Sequence, residues 1–405
     1  MRIISTQLTT LLSLFCLCIT VIGFSQTNTN DSVPKFSLDY GKRGLEIKSS
    51  DNSFSLHLQS RFQFRFATPN DIDPVTLDNY NEKDNTLFKV NRARVKVGGH
   101  AYKEWLKYYW EYDINQSNLL DYRIMIEKWK WLNFKVGQWK VEYSRERRIS
   151  SGAQQLVDRS ILNRHFTVDR QQGVEVYGNL KGKGMLNMSY WAGVFTGTGR
   201  GNPANDDHNL MYFGRLQWNV LGDDIGFRST DLTLHKTPEA NIAAAVVTNE
   251  SPYTRFSTSG GGALERFEEG ENGQYRVNQL NIETAFVYNG FSWQSEFHTK
   301  EIIDKYDNNS MTHMTGYYLQ GGYLAHQSFD WWPKPLEIAA RFAHYNPDRN
   351  TSATNNLQEK SIAFNWFFKN HLNKLTLECS SFDYETPELN TKNEFRFRIQ
   401  WDISF

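Results

Sequence analysis

The feature that most constrains this chain is a strict two-residue alternation, clearest near the start of its mature part and again at its end. Phe54, Leu56, Leu58, Ser60, Phe62, Phe64 and Phe66 share one face, and Ser55, His57, Gln59, Arg61, Gln63 and Arg65 the other. Successive side chains of an extended chain point to opposite sides, so this is a strand with a greasy face and a charged face. The C-terminus repeats it, with Phe395, Phe397, Ile399, Trp401, Ile403 and Phe405 against Arg396, Arg398, Gln400, Asp402 and Ser404. Alternation alone also suits a soluble sandwich. Strand length, aromatic strand ends, a terminal Phe and an export signal together favour an antiparallel transmembrane β-barrel, with lipid on one face and a wet lumen on the other.

The export signal occupies residues 1–25. Met1-Arg2 is a minimal positive start, residues 8–21 are the apolar core, and Gly23-Phe24-Ser25 places cleavage before Gln26. Cys16 and Cys18 follow Phe15 and Leu17, where a lipoprotein would need a small residue. Residues 26–52 then form a periplasmic N-terminal segment with a hairpin, and residues 53–405 the barrel. Past the signal, Cys379 is the only cysteine and histidines are scattered singly, so no disulfide framework, zinc site or cofactor is expected. Aromatic residues make up 15% of the chain, yet no helix-length apolar stretch follows the signal, a combination that suits strands facing lipid. Lys plus Arg (45) balance Asp plus Glu (45), which argues against a nucleic-acid partner.

The pattern predicts strands over 53–67, 86–102, 105–114, 118–128, 131–141, 171–180, 184–196, 208–220, 239–249, 276–289, 291–302, 313–326, 335–346, 357–369, 371–383 and 393–405, sixteen in all, the even count that a barrel with both termini on the periplasmic side requires. Residues 226–235 also read as a strand. Counting them would move the long 250–275 connection to the short-turn rim, so 221–238 is assigned to an unusual periplasmic connection. The remaining connections then sort into tight turns such as Asn289-Gly290 on one rim and long loops on the other, the arrangement of outer-membrane barrels.

Several elements in order resemble the phosphate-selective porin O and P family. Gly44-Leu45-Glu46-Ile47, residues 51–54 and Ser60-Arg61-Phe62-Gln63 are similar to its opening hairpin, and Asn91-Arg92-Ala93-Arg94 to its second strand. Val136-Gly137-Gln138-Trp139-Lys140, Ser144-Arg145-Glu146, Ser150-Ser151, Asp158-Arg159-Ser160 and Asp169-Arg170 continue the likeness, with later echoes at residues 193–197 and 336–341. The resemblance implies a sixteen-stranded, water-filled, trimeric porin of a Gram-negative outer membrane, passing small anions such as phosphate by diffusion. Glu142 stands where the family has Pro, and the chain has no net positive charge; both departures bear on phosphate selectivity rather than on the barrel.

Alternation puts Arg61, Arg65, Arg92, Arg94, Lys96, Lys107, Arg123, Lys135, Arg215, Arg341, Arg396 and Arg398 on lumen faces, against Glu111, Asp113, Asp121, Glu127, Glu296, Glu337 and Asp402. The wall therefore leans positive although the chain is neutral. Arg61, Arg65, Arg92, Arg94, Arg396 and Arg398 fall on one sector, because the first two strands and the last are neighbours in a closed barrel. The connection 142–170 is the third on the long-loop rim, a position that folds inward in porins. The expected anion path is Arg61, Arg65, Arg92, Arg94, Lys96, Arg396 and Arg398 on the wall with Arg145, Arg148, Arg159 and Arg164 on this loop, since guanidinium forks suit oxyanions. Ion pairing is the competing account for each single arginine. A general porin, a barrel plugged by its loops or binding a partner through the acidic 250–275 loop, and a rim hydrolase are the rivals; the last lacks a recognisable Ser-His-acid set. Trp331-Trp332 and Tyr108-Tyr109-Trp110 read as headgroup-level girdles.

Overall fold

The computed structural model describes residues 35–41, 44–72, 79, 86–182, 186–202, 204–205, 207–257, 261–348, 356–385 and 391–405. The signal segment 1–25 lies outside them. Two short strands come first, β1 (Phe36–Gly41) and β2 (Gly44–Ser49). Sixteen longer ones follow: β3 (Phe54–Thr68), β4 (Leu87–Ala101), β5 (Leu106–Asp113), β6 (Asn118–Ile126), β7 (Asn133–Lys140), β8 (Arg170–Lys181), β9 (Asn187–Phe195), β10 (Met211–Leu221), β11 (Glu239–Ser251), β12 (Tyr275–Tyr288), β13 (Phe291–Asp304), β14 (Ser310–Tyr323), β15 (Leu336–Asn346), β16 (Leu357–Lys369), β17 (Asn373–Glu385) and β18 (Thr391–Ser404). The sixteen expected strands are these, displaced by no more than three residues at either end.

Each strand pairs antiparallel with the next, and β18 closes the ring on β3 with Phe397 opposite Thr68 and Ser404 opposite Arg61. Closure leaves no unpaired edge in the lipid, where an unmatched backbone group would cost several kcal/mol. Phe405 completes the seam by exchanging two backbone hydrogen bonds with Ser60, at 3.1 and 2.9 Å. Beyond that point β2 takes over the edge of β3, with Leu45 opposite Leu58 and Lys48 opposite Ser55. Asn289 (φ 48°) and Gly290 (φ 83°) form the two-residue turn from β12 to β13, the left-handed pair that matches strand twist.

Residues 222–238 form no strand, as parity required, but they do not hang below the barrel either: Ile225 packs inside against Ala285 and Val287. The interior also departs from an evenly wet lumen. Leu162 and Phe166 from the 142–170 connection, Phe256 and Leu264 from the 250–275 connection, and Phe213, Val247, Val277, Ile302, Tyr318 and Tyr345 from the wall make one buried apolar cluster. Strict outward-apolar alternation breaks on the outer halves of these strands because their inner faces carry a core.

Candidate functional site

The connection 142–170 crosses the lumen, and its conformation is set by the wall. It holds two short helices, α1 (Arg145–Arg148) and α2 (Leu162–Phe166), the first capped by the Ser144 hydroxyl, which accepts from Arg147 N at 3.1 Å. Four wall carboxylates accept backbone N–H groups of the loop: Glu283 from Arg145 (3.1 Å), Glu296 from Glu146 (2.6 Å), Glu378 from Val157 (2.6 Å) and Glu359 from Ile161 (3.0 Å). Wall cations bind its carbonyls: Lys374 that of Gln154 (2.5 Å), Arg341 that of Asp158 (3.1 Å) and Lys300 that of His165 (3.0 Å). Inside a barrel each loop amide needs such a partner, because a buried unpaired one is costly. Gly316 and Gly322 on β14 give the loop room. A Cβ on Gly316 would stand 2.6 Å from Leu162 Cδ2, and one on Gly322 2.0 Å from Gln155 Nε2.

Beside this loop lies a cavity of about 310 Å³, whose wall residues come from β4, β7 and β8 and from β15 to β18. Nine arginines (92, 94, 147, 159, 164, 170, 200, 341 and 398) and Lys140 line it, against Asp158, Asp169 and Glu359. Of the expected path residues, Arg92, Arg94, Arg159, Arg164 and Arg398 lie on this lining, together with Arg147, Arg170, Arg200, Arg341 and Lys140, which were not among them.

The other expected residues sit elsewhere. Arg61 is buried against the loop, donating to Ser150 Oγ (2.9 Å) and Ser151 Oγ (2.6 Å). Arg65 is held by Asp71 (2.9 Å), Asp158 (2.7 Å) and Gln400 (2.8 Å). Lys96 reaches Gln59 at 3.4 Å. Arg396 is buried on Glu394 and the Ile72 carbonyl. Arg145 donates to the carbonyl of Arg228 (2.8 Å), and Arg148 pairs with Glu142 (3.2 Å). Arg145 and Arg148 are three apart on α1 and share a side; Arg147 faces the cavity instead. Most other wall cations are paired with acids, Arg123 with Asp121 along β6 (2.6 Å) and, between strands, Lys107 with Glu127 (2.6 Å), Lys135 with Glu175 (2.7 Å) and Arg215 with Glu283 (2.5 Å).

On the lining, Arg94 pairs with Glu111 and Asp113 (both 2.9 Å), Arg147 with Asp169 (2.5 Å), Arg170 with Asp121 (2.5 Å) and Arg398 with Asp158 (2.9 Å). Arg92, Lys140, Arg159 and Arg164 have no carboxylate at ion-pair distance among the described residues. Arg92 donates to Gln63 (2.7 Å). Arg159 binds three backbone carbonyls around the end of α1, those of Glu146 (3.0 Å), Arg147 (3.3 Å) and Ile149 (2.8 Å). Carbonyls orient the guanidinium without cancelling its charge. Burial, then the neighbouring Arg147 and Arg92, pull Arg159 well below the usual guanidinium range, so like charges are crowded there. Burial raises the Asp158 carboxyl, but Arg65 and Arg398 outweigh it and hold the group far below the carboxylate range. Burial pushes His165 down to about 3, leaving a neutral ring stacked on Tyr345 at 3.8 Å.

Comparison with known proteins bears on this arrangement. The family described as phosphate-selective porin O and P matches residues 62–402. No curated protein matches the chain. Among solved structures, an anion-selective porin from Comamonas acidovorans is similar at 8% identity and a TM-score of 0.56, covering 87% of this chain and 100% of that one. The outer-membrane channel DcaP of Acinetobacter baumannii is similar at 12% identity and 0.54, covering 88% and 99%. OmpT of Vibrio cholerae in its trimer form is similar at 10% and 0.53, covering 87% and 100%. At these identities the structures establish a common barrel fold.

Proposed function

The chain belongs to the phosphate-selective porin O and P family, as an outer-membrane porin channel of a Gram-negative bacterium, and from that premise we propose that it passes small hydrophilic solutes by diffusion with a mild preference for anions, phosphate included. One observation carries this reading: the lumenal cavity beside the inward loop is lined by nine arginines and one lysine against three carboxylates in a chain of zero net charge. The imbalance has a physical origin. Glu283, Glu296, Glu359 and Glu378 are occupied with loop amides, so lumen acids hold the loop while cations remain at the opening. Selectivity follows the charges at the narrowest girth. Arg92, Arg94, Lys140, Arg147, Arg159, Arg164, Arg170, Arg200 and Arg398 are the contacts proposed, and crowding of Arg159 with Arg147 and Arg92 is relieved by a bound anion. Planar-bilayer recording in a KCl gradient tests it: a reversal potential on the chloride side is expected, and one on the potassium side would overturn the anion preference.

The reading includes export on residues 1–25 and assembly as a homotrimer. Support for assembly lies in the wall height. Strands β5, β6, β7 and β9 have 8, 9, 8 and 9 residues, against 14 in β12, β13 and β14. Eight residues at about 3.3 Å each, tilted by about 40°, rise only about 20 Å, less than the apolar band of about 25 Å. That low sector carries an outward apolar hollow of about 540 Å³ lined by Ile124, Ile126, Phe134, Val136, Val174 and Val194. Covering it with another protomer removes the mismatch with lipid.

A further inference from the structure

The connection 222–238 is much longer than joining β10 to β11 requires, since Asn289-Gly290 alone joins β12 to β13. Connections of this length without secondary structure are usually functional. Its two ends are tied to the wall. Asp224 accepts from Gln217 Nε2 (2.7 Å) and Ser189 Oγ (3.1 Å), and the buried Asp231 accepts from the Gly290 backbone (2.8 Å) and from His235. Between these anchors the chain rises into the barrel and meets the constriction loop from the periplasmic side. The Arg228 carbonyl accepts from Arg145 Nη2 at 2.8 Å, the Ser229 hydroxyl donates to the Ala153 carbonyl, and the Phe227 ring lies 5.1 Å from the Arg148 guanidinium. Thr230 reaches Glu337 at 3.3 Å.

We propose that residues 222–238 are a strut: they position the constriction loop and close the sector of lumen beneath it, so that solutes pass only along the basic wall. Above the strut the apolar cluster closes the same sector and includes Leu162 and Phe166 of the loop itself, so removing the strut loosens the loop, withdraws that packing and opens a path lined by neutral Asn241, Gln279 and Gln294. Arg145 and Arg148 act here as positioning residues, which accounts for their place away from the cavity. This inference rests on the channel reading above.

The test replaces residues 223–237 by Asn-Gly in the full chain and records single channels beside wild type. Conductance should rise by about twofold or more, with the anion-to-cation permeability ratio falling towards that of bulk KCl. A Gln294→Cys probe in a Cys379→Ser background should react slowly with an impermeant thiol reagent in wild type and quickly after excision. Unchanged conductance and selectivity in a folded, excised barrel overturn the strut and leave the channel standing; a silent wild type overturns the channel itself. If the excised chain fails to fold, Ala153→Cys/Ser229→Cys decides. Its disulfide should form and leave conductance within about 20% of the reduced form, whereas a larger change shows that the turn moves during conduction and is no strut.

Discussion

Arg159 shows how a single side chain can be charged for function and still be well held. Its partners are the carbonyls of Glu146, Arg147 and Ile149 rather than an acid. Arg159→Ala should lower the anion-to-cation permeability ratio several-fold in reversal-potential measurements, and Arg159→Lys should fall between, because an ammonium cannot serve three carbonyls at a guanidinium's fixed angles. Asp158 is its structural counterpart, binding Arg65 and Arg398 from the loop. Asp158→Asn removes the loop's charge from Arg65 and Arg398, which keep Asp71 and Glu378 on their other sides, and should cost about 1–3 kcal/mol of loop docking, read as faster proteolysis of the loop in the intact barrel. The sign with pH follows from its lowered carboxyl: the latch is complete above the ordinary aspartate value of about 4 and is lost only as pH falls below that range. Open-channel noise should therefore stay flat from neutrality to about pH 4 and grow in stronger acid. Alternation assigned the wall arginines to the lumen, yet it carries no information on which of them meet acids. Arg61 and Arg65 went to the loop and Arg92 to the opening because partners come from distant segments, as Ser151 and Asp158 do here.

Among the elements, strands were legible because their signal is local. A period of two with aromatic ends marks β3 and β18 wherever they sit, and parity removed residues 226–235 from the strand count. The loop was legible in place but not in pose. Its position as the third connection on its rim implied an inward fold, whereas the orientation of α1 depends on Glu283 and Glu296, far away in sequence. Arg145 and Arg148 share a side of α1 that meets the strut, and nothing in their spacing says which side meets the opening. Gly316 of β14 was a missed signal, since a glycine on an inner face at mid-strand marks a close approach. Gly316→Leu tests that idea. Its side chain would occupy the space of Leu162 and Phe166, so α2 should be displaced while the ring of strands persists. The expected outcome is a heat-modifiable, folded barrel with raised conductance and a protease-sensitive loop; a quiet channel with wild-type conductance would mean that α2 is not packed against β14.

For the molecule as a whole, two asymmetries are stacked. Inside, an apolar core fills the lumen beside β9 to β14, and the basic cavity lies against β4, β7, β8 and β15 to β18; outside, the wall is low over β5, β6, β7 and β9. A low wall exposes loop and polar backbone at a depth where lipid cannot hydrogen-bond, so this face is the one that gains most from a neighbouring protomer. Val136 and Val174 lie opposite each other across β7 and β8 in the middle of it, 49% and 55% exposed. Placing lysine at both, Val136→Lys/Val174→Lys, puts two desolvated charges in any protein contact there, whereas on a free barrel long side chains can reach towards the interface. If the proposed trimer forms through this face, wild type should run as a trimer on an unheated gel and the double variant as a folded monomer. Its single-channel steps should keep the wild-type ion preference, because the constriction is built within one chain. Persistence of the trimer would place the contact on another face, and loss of selectivity together with the trimer would mean that a neighbour helps to shape the opening.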